Sequence, residues 1–326
     1  MSPQFLRDSL ERHQIAIYFG AIAFALAIGW AWPASGSLEP LINPALALML
    51  FVTFLQVPLA ELGKAFRDVR FLSALAVGNF LAVPLLVWFL VQSLPGDPLL
   101  LLGVLFVLLT PCVDYVVTFC HLGRADAKSL LASTPLLLLA QMALLPVYLG
   151  IMVGDEAAAL VQPEPFLHAF VVLIAGPLAL AAAAMTLARA GKAAEHTVSM
   201  LGLLPVPATA LVLFVVIASV VPQLGLATGS VLRALPIYVA FAVAAPLLGW
   251  LVARGFSLGA EQGRAVAFST ATRNSLVILP LALAVPGAIP IVPAVIVTQT
   301  LVELVSELIY IRLAPRLTPA KGQGRS

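Results

Sequence analysis

Apolar stretches about as long as a bilayer is thick follow one another along the whole chain, separated by short polar turns. A helix needs about 20 such residues to cross the hydrocarbon layer. Ten segments meet that length: 15–32, 41–60, 71–92, 98–122, 129–152, 165–188, 200–222, 231–253, 264–285 and 290–313. Of the 326 residues, 62% are hydrophobic and 10% charged, and the mean hydropathy is +1.08. A soluble domain carries about 25% charged residues. The runs are continuous rather than alternating, so the expected class is an all-α integral membrane protein and not an outer-membrane barrel. No short apolar core with a cleavage site precedes Ile15, so the first span is expected to be retained.

The charges fix an orientation. Arg7, Arg12, Lys64, Arg67, Arg70, Arg124, Lys128, Arg189, Lys192, Arg254, Arg264, Arg312, Arg316, Lys321 and Arg325 all fall on one side of a ten-span topology. That is every one of the 17 Lys and Arg except Arg233 and Arg273. The positive-inside rule then places both termini in the cytoplasm of a plasma membrane, as in a bacterial inner membrane. The opposite loops carry Glu39, Asp97, Asp155, Glu156 and Glu164. The net charge of +2 gives no sign of a nucleic-acid partner.

Ten spans divide into five and five, and an odd number of spans inverts the second half relative to the first. Pro44-Ala-Leu-Ala-Leu-Met-Leu-Phe-Val52 matches Pro207-Ala-Thr-Ala-Leu-Val-Leu-Phe-Val215 at seven of nine positions, 163 residues apart. Pro135 precedes Gln141 by six residues in span 5, and Pro293 precedes Gln299 by six in span 10, 158 residues apart. Two inverted five-helix repeats are therefore expected, at 15–153 and 165–314. Residues 1–14 and 315–326 are left as cytoplasmic ends. Inverted repeats are a signature of secondary transporters.

One residue makes such a fold expensive. Arg273 lies within Phe268-Ser-Thr-Ala-Thr-Arg-Asn-Ser275, in the middle of a span. A cation at a helix centre costs about 2.5–3.5 kcal/mol on translocon-type scales. Span 4 holds the opposite charge, Asp114, 159 residues earlier and three past Pro111. The two are expected to be repeat equivalents. Both spans are locally poor helix formers: span 4 has Thr110 and Pro111, and span 9 has Thr270, Thr272, Asn274, Ser275 and Pro280. Broken helices near the midplane offer half-helix ends as fixed partial charges. An arginine can neutralise carbonyl ends and an aspartate amide ends, or the two can pair directly. A stabilising pair without solute contact is the alternative to a transport role.

Span 10 adds Gln299, Thr300, Glu303 and Glu307. The two glutamates share a helix face. Glu303, near mid-span, is the better candidate carrier of a proton or cation. Glu307, nearer the cytoplasmic end, is expected to reach Arg312 or water. Cys112 and Cys120 would stand about 12 Å apart along one helix, too far for a disulfide. Cys120 reads as a small apolar residue, whereas Cys112, beside Pro111 and Asp114, is a candidate contact for a thiophilic solute. Asn43 and Gln56 could line a cavity or, as lone amides in spans often do, bond neighbouring helices. His13, His121, His168 and His196 fall at span ends or in loops, and Trp30, Trp32 and Trp250 suit interfacial belts. There is no resident cofactor or metal motif, and no nucleophile–base constellation of an enzyme.

The segments Thr110-Pro-Cys-Val-Asp-Tyr-Val-Val-Thr-Phe-Cys-His-Leu-Gly123, Ala271-Thr-Arg-Asn-Ser-Leu-Val-Ile-Leu-Pro-Leu-Ala282 and Thr298-Gln-Thr-Leu-Val-Glu-Leu304 resemble the bile acid:sodium symporter superfamily, in particular its arsenite efflux permease branch. The resemblance implies a panel of spans 1, 2, 6 and 7, and a core of spans 3–5 and 8–10. It also implies that discontinuous spans 4 and 9 cross, as in NhaA-like antiporters. Cys112 falls where arsenite permeases have a cysteine, Glu303 in a similar Leu-Val-Glu segment, and Asn274 at an asparagine of both branches. There are departures. The permeases' span-9 glutamate is Val277 here. The sodium symporters' Glu-x-Gly-x-Gln-Asn reads Ser269-Thr-Ala-Thr-Arg-Asn274, which argues against sodium at that place.

The expected function is secondary active transport, with efflux of arsenite or a related metalloid or oxyanion in exchange for protons. The alternative is sodium- or proton-coupled transport of organic anions, with Arg273 as the clamp. The expected site is Cys112, Asp114, Arg273, Asn274 and Glu303, with Thr110, Thr272, Ser275, Gln141, Gln299 and Thr300 in support. The partners are the solute, a coupling ion expected to be a proton, and membrane lipid.

Overall fold

The structure, a computed structural model, describes residues 3–56, 68–94, 96–153, 168, 171–188, 191–283 and 285–317. In chain order its helices are α1 (Pro3–Ala31), α2 (Ile42–Phe54), α3 (Val69–Val77), α4 (Val83–Val91), α5 (Pro98–Leu108), α6 (Val116–Leu122), α7 (Ala127–Met152), α8 (Gly176–Ala188), α9 (Lys192–Leu201), α10 (Pro205–Val220), α11 (Thr228–Gly255), α12 (Ala260–Ala271), α13 (Ser275–Leu283) and α14 (Ile291–Leu317). A π-turn at Gly78–Ala82 joins α3 to α4. Lys64, Arg67, Asp155, Glu156, Glu164, Arg189, Lys321 and Arg325 lie outside the described residues.

Among the described residues, six helices are long and apolar enough to cross a membrane: Phe5–Ala31, Pro33–Phe54, Val69–Val91, Ala127–Met152, Pro205–Gly255 and Ile291–Arg316. Ten spans were expected, with spans 4 and 9 discontinuous. The difference has local causes. Spans 4 and 9 are each broken in two, at 109–115 and 272–274. Spans 7 and 8 run together through a 3-10 segment at Val221–Ala227. Span 6 begins among residues that are not described. The terminal helices also overrun the expected boundaries, since α1 starts at Pro3 and α14 continues to Leu317.

Aspartates start several helices by accepting orphan backbone N–H groups. Asp68 takes the N–H of Phe71 at the head of α3. Asp97 takes those of Leu99 and Leu100 at α5, and Asp126 takes that of Ser129 at α7.

The chain divides into two compact units. The first comprises 1–58, 162–227 and 279–290. In it α10 packs on α1 and α2, and α8 on α2. The Ser35 hydroxyl donates to Ala218 O at 2.8 Å, and the Phe24 and Phe214 rings stack at 5.5 Å. The second unit comprises 59–161, 228–278 and 291–326. There α11 packs closely on α12, and α14 on α5 and α11. Small residues set those approaches: Gly103 lies against Val295, and Gly249 against the Thr270 side chain.

Large apolar side chains such as Phe24, Trp30, Phe89 and Leu251 are exposed, which suits contact with lipid. Polar side chains concentrate in the interior of the second unit, where Asn79, Thr110, Ser269, Thr272, Arg273 and Glu307 are fully buried.

A β-carbon at Gly249 would overlap Thr270 Oγ1 and lie 3.0 Å from Ala267 Cα, whereas one at Gly229 would meet nothing. Gly249→Ala is therefore expected to cost about 1–3 kcal/mol through overpacking. Gly229→Ala should cost nothing comparable. Thermal unfolding in detergent distinguishes the two.

Candidate functional site

The breaks in spans 4 and 9 pair with each other. Pro111 and Arg273 form an isolated antiparallel bridge. Cys112 N donates to Thr272 O at 3.0 Å, and Asn274 N donates to Thr110 O at 2.7 Å. Both bonds belong to residues flanking the bridged pair, so Pro111 and Arg273 face each other as a non-hydrogen-bonded pair. That explains a proline here, since its missing N–H forfeits nothing. It also leaves the Arg273 N–H free for another acceptor. Arg273 therefore stands opposite Pro111; Asp114, its expected repeat equivalent, lies three residues further on.

The Arg273 side chain is fully buried. Its Nη2 donates to Ser269 O at 2.6 Å and to Asn79 Oδ1 at 2.9 Å, and its Nη1 to Leu108 O at 3.4 Å. Leu108 ends α5 and Ser269 lies in the last turn of α12, so one guanidinium serves orphan carbonyls at two helix C-termini. Its carbon sits 5.5 Å from the centroid of the Phe241 ring, within cation–π range. Asn79 Nδ2 in turn donates to Ser269 Oγ at 2.9 Å. Among the described residues the salt bridge is Arg7–Glu11; Arg273 pairs with no carboxylate. Of the two arrangements open from sequence, the helix-end role is the one adopted.

Glu303 closes the pairing from α14. Its Oε2 accepts from Arg273 N and from Gln299 Nε2, each at 2.6 Å. Its Oε1 accepts from the Tyr115 hydroxyl at 2.7 Å. Asp114 Oδ1 accepts from Tyr115 N at 2.7 Å and from the Cys112 thiol at 2.8 Å, and Oδ2 has no partner. Each carboxylate thus meets backbone N–H at a break, the sign a helix N-terminus favours. Glu307, expected to reach Arg312 or water, does neither: it is fully buried, with Oε1 2.5 Å from Thr272 Oγ1 and Oε2 unpartnered.

The remaining expected residues separate into two groups. Asn274 lies in the pairing; its Oδ1 accepts from Val277 N at 3.3 Å, and Nδ2 is unpartnered. Ser275 Oγ and Gln299 Oε1 are also buried without partners. The Thr110 and Thr300 hydroxyls instead turn back onto their own helices, to Phe106 O and Ile296 O. Gln141 is buried on α7 with neither amide atom bonded, and no hydrogen bond joins it to the pairing. Cys112 and Cys120 are both free and buried. Three participants were not singled out from sequence: Asn79, Tyr115 and Phe241. A lone amide after Gly78 in span 3, and a tyrosine next to Asp114, were the available signals.

A family model described as the sodium bile acid symporter family matches residues 43–224. The chain belongs to that family. Its members are transporters, so this is a multi-pass membrane protein of the sodium bile acid symporter type and not an enzyme. The family implies an organic anion solute whose movement is coupled to that of an ion. The matched stretch includes Asn79, Cys112 and Asp114 and ends before Arg273 and Glu303. No curated protein matches the sequence closely enough to count as a relative.

Tyr115→Phe removes one of the three donors to Glu303. The loss of a hydrogen bond to a charged group is expected to cost about 1.5–3 kcal/mol. Arg273→Lys is expected to cost at least as much, because an ammonium cannot reproduce a planar fork over Phe241. Lowered unfolding midpoints of the detergent-solubilised variants check both.

Proposed function

We propose that the chain is a proton-coupled secondary transporter whose solute is small, hydroxylated and thiophilic, with arsenite as the specific candidate and export as the direction. The observation that carries this reading is an imbalance of buried charge. Asp114, Glu303 and Glu307 are all buried around the paired breaks. The Nη1 and Nη2 of the guanidinium beside them are turned to Ser269 O, Leu108 O and Asn79, and its Nε is buried without a partner. Among the described residues Arg264 is also buried, and it donates to Arg124 O. Buried carboxylates without paired cations are very costly, so protons or small cations must neutralise them. Groups that need such company are suited to exchange it.

Two features favour a proton over sodium. Where sodium-coupled relatives of this sequence pattern place a glutamate and a glutamine, this chain has Ser269 and Arg273. Asn79 joins the two residues, bonding Ser269 Oγ and Arg273 Nη2. A tethered guanidinium then stands where a mobile cation would otherwise be drawn.

Two features favour a neutral hydroxylated solute over an anion. Arg273 offers no outward fork to a carboxylate. The unpartnered Asp114 Oδ2 and Gln299 Oε1 are acceptors suited to O–H donors, such as the neutral trihydroxide form of arsenite. Cys112 Sγ, on the same carboxylate as Asp114 Oδ2, adds one exchangeable thiol contact. The second reading, an organic anion coupled to sodium or protons, is favoured by the family match.

In everted vesicles an imposed proton gradient is expected to drive arsenite accumulation without sodium. Glu303→Gln should abolish it. Cys112→Ala should weaken apparent affinity about tenfold, equivalent to about 1.4 kcal/mol. Sodium-driven uptake of a bile-acid-like solute, with no response to arsenite, would establish the second reading instead.

A further inference from the structure

The transport reading counts Glu307 among the buried acids but gives it no contact with the solute. Glu307 lies one turn beyond Glu303 on α14 and is fully buried. Its Oε1 is 2.5 Å from Thr272 Oγ1. The same hydroxyl oxygen is 2.7 Å from Phe268 O. A threonine hydroxyl has one proton to donate, and a peptide carbonyl has none. Both contacts are hydrogen bonds only when Glu307 donates to Thr272 and Thr272 donates to Phe268 O. The carboxyl group then carries a proton. Its other oxygen agrees, since an ionised Oε2 would face no donor at all.

The surroundings offer no replacement for that proton. On its own helix the titratable neighbours are Glu303 and Tyr310. From α6 the neighbour is Cys120, which also feels Arg264 of α12. From α11 the buried titratable group is Tyr238, and α5 contains none. No arginine, lysine or histidine among the described residues forms a salt bridge with Glu307.

We propose that Glu307 is a proton-binding site, occupied in this conformation, and that Thr272 passes its state to the paired breaks. The step is the transfer of a proton from the carboxyl group to water, with no other bond broken. Once ionised, the carboxylate can only accept, so the Thr272 hydroxyl must turn away from Phe268 O to serve it. Phe268 O then keeps only Thr272 N, at 3.0 Å. Thr272 is also the residue whose carbonyl receives Cys112 N. Proton occupancy at Glu307 thereby acts on the last turn of α12 and on the backbone bridge to span 4. This inference rests on the proton-coupled reading for its purpose, but site occupancy can be measured without transport.

Infrared difference spectra of the purified full chain in liposomes, taken between acid and alkaline pH, test it. A protonated-carboxyl band is expected in the wild type. It should vanish in Glu307→Gln, persist in Glu303→Gln, shift in Thr272→Val and return to its place in Thr272→Ser. In proteoliposomes, the ratio of solute flux with and without a pH gradient should fall to unity in Glu307→Gln. A band that survives unchanged in Glu307→Gln overturns the proposal, as does a wild-type flux ratio above unity that Glu307→Gln leaves unchanged. A Glu307-specific band in a protein whose transport ignores the proton gradient would sink the proton-coupled reading while leaving the proton-binding site in place.

Discussion

Two interrupted helices inside a membrane-spanning unit leave backbone groups that their own helices cannot satisfy. Everything else in the second unit follows from how those groups are satisfied. The two backbone bonds between 110–112 and 272–274 satisfy the strand-like residues of both breaks. The carbonyl ends of α5 and α12 remain, and so do amides at the breaks. A buried arginine answers the first need and two carboxylates answer the second. Arg273 is thus not an isolated charge tolerated in lipid. It completes the backbone hydrogen bonding of helices that the fold requires to be broken.

The same solution creates a surplus. The arginine is used by carbonyls, so the acids that serve the amides are not cancelled by it. A soluble protein would leave such acids to water or to surface lysines. Here they are enclosed by α5, α6, α12 and α14, and their charge must be managed by something that comes and goes. Structural necessity and transport chemistry therefore share residues.

Much of this was legible in the chain because local rules govern it. Proline and threonine in an apolar run predict a break, and an arginine in such a run must serve something. Glu303 at mid-span was visible for the same reason. What could not be read was register and reach. The repeat offsets suggested Asp114 as the repeat equivalent of Arg273, which does not say what stands opposite it; backbone pairing sets that register and places Pro111 there. Asn79 is 194 residues from Arg273 in sequence, and no periodicity reports such a contact. Glu307 looked solvent-reachable because distance along a helix was the only guide to depth. Its burial depends on neighbouring helices that a single span does not reveal.

The bridge between Pro111 and Arg273 has one more consequence. Inside a sheet, an amide of such a non-hydrogen-bonded pair is claimed by the next strand. Here the Arg273 amide is claimed by the carboxylate of Glu303, a group on rotatable bonds. A main-chain donor stoppered by a side chain is a socket with a removable plug. The bridge thus holds, at its centre, a backbone donor that a side chain claims instead of another backbone.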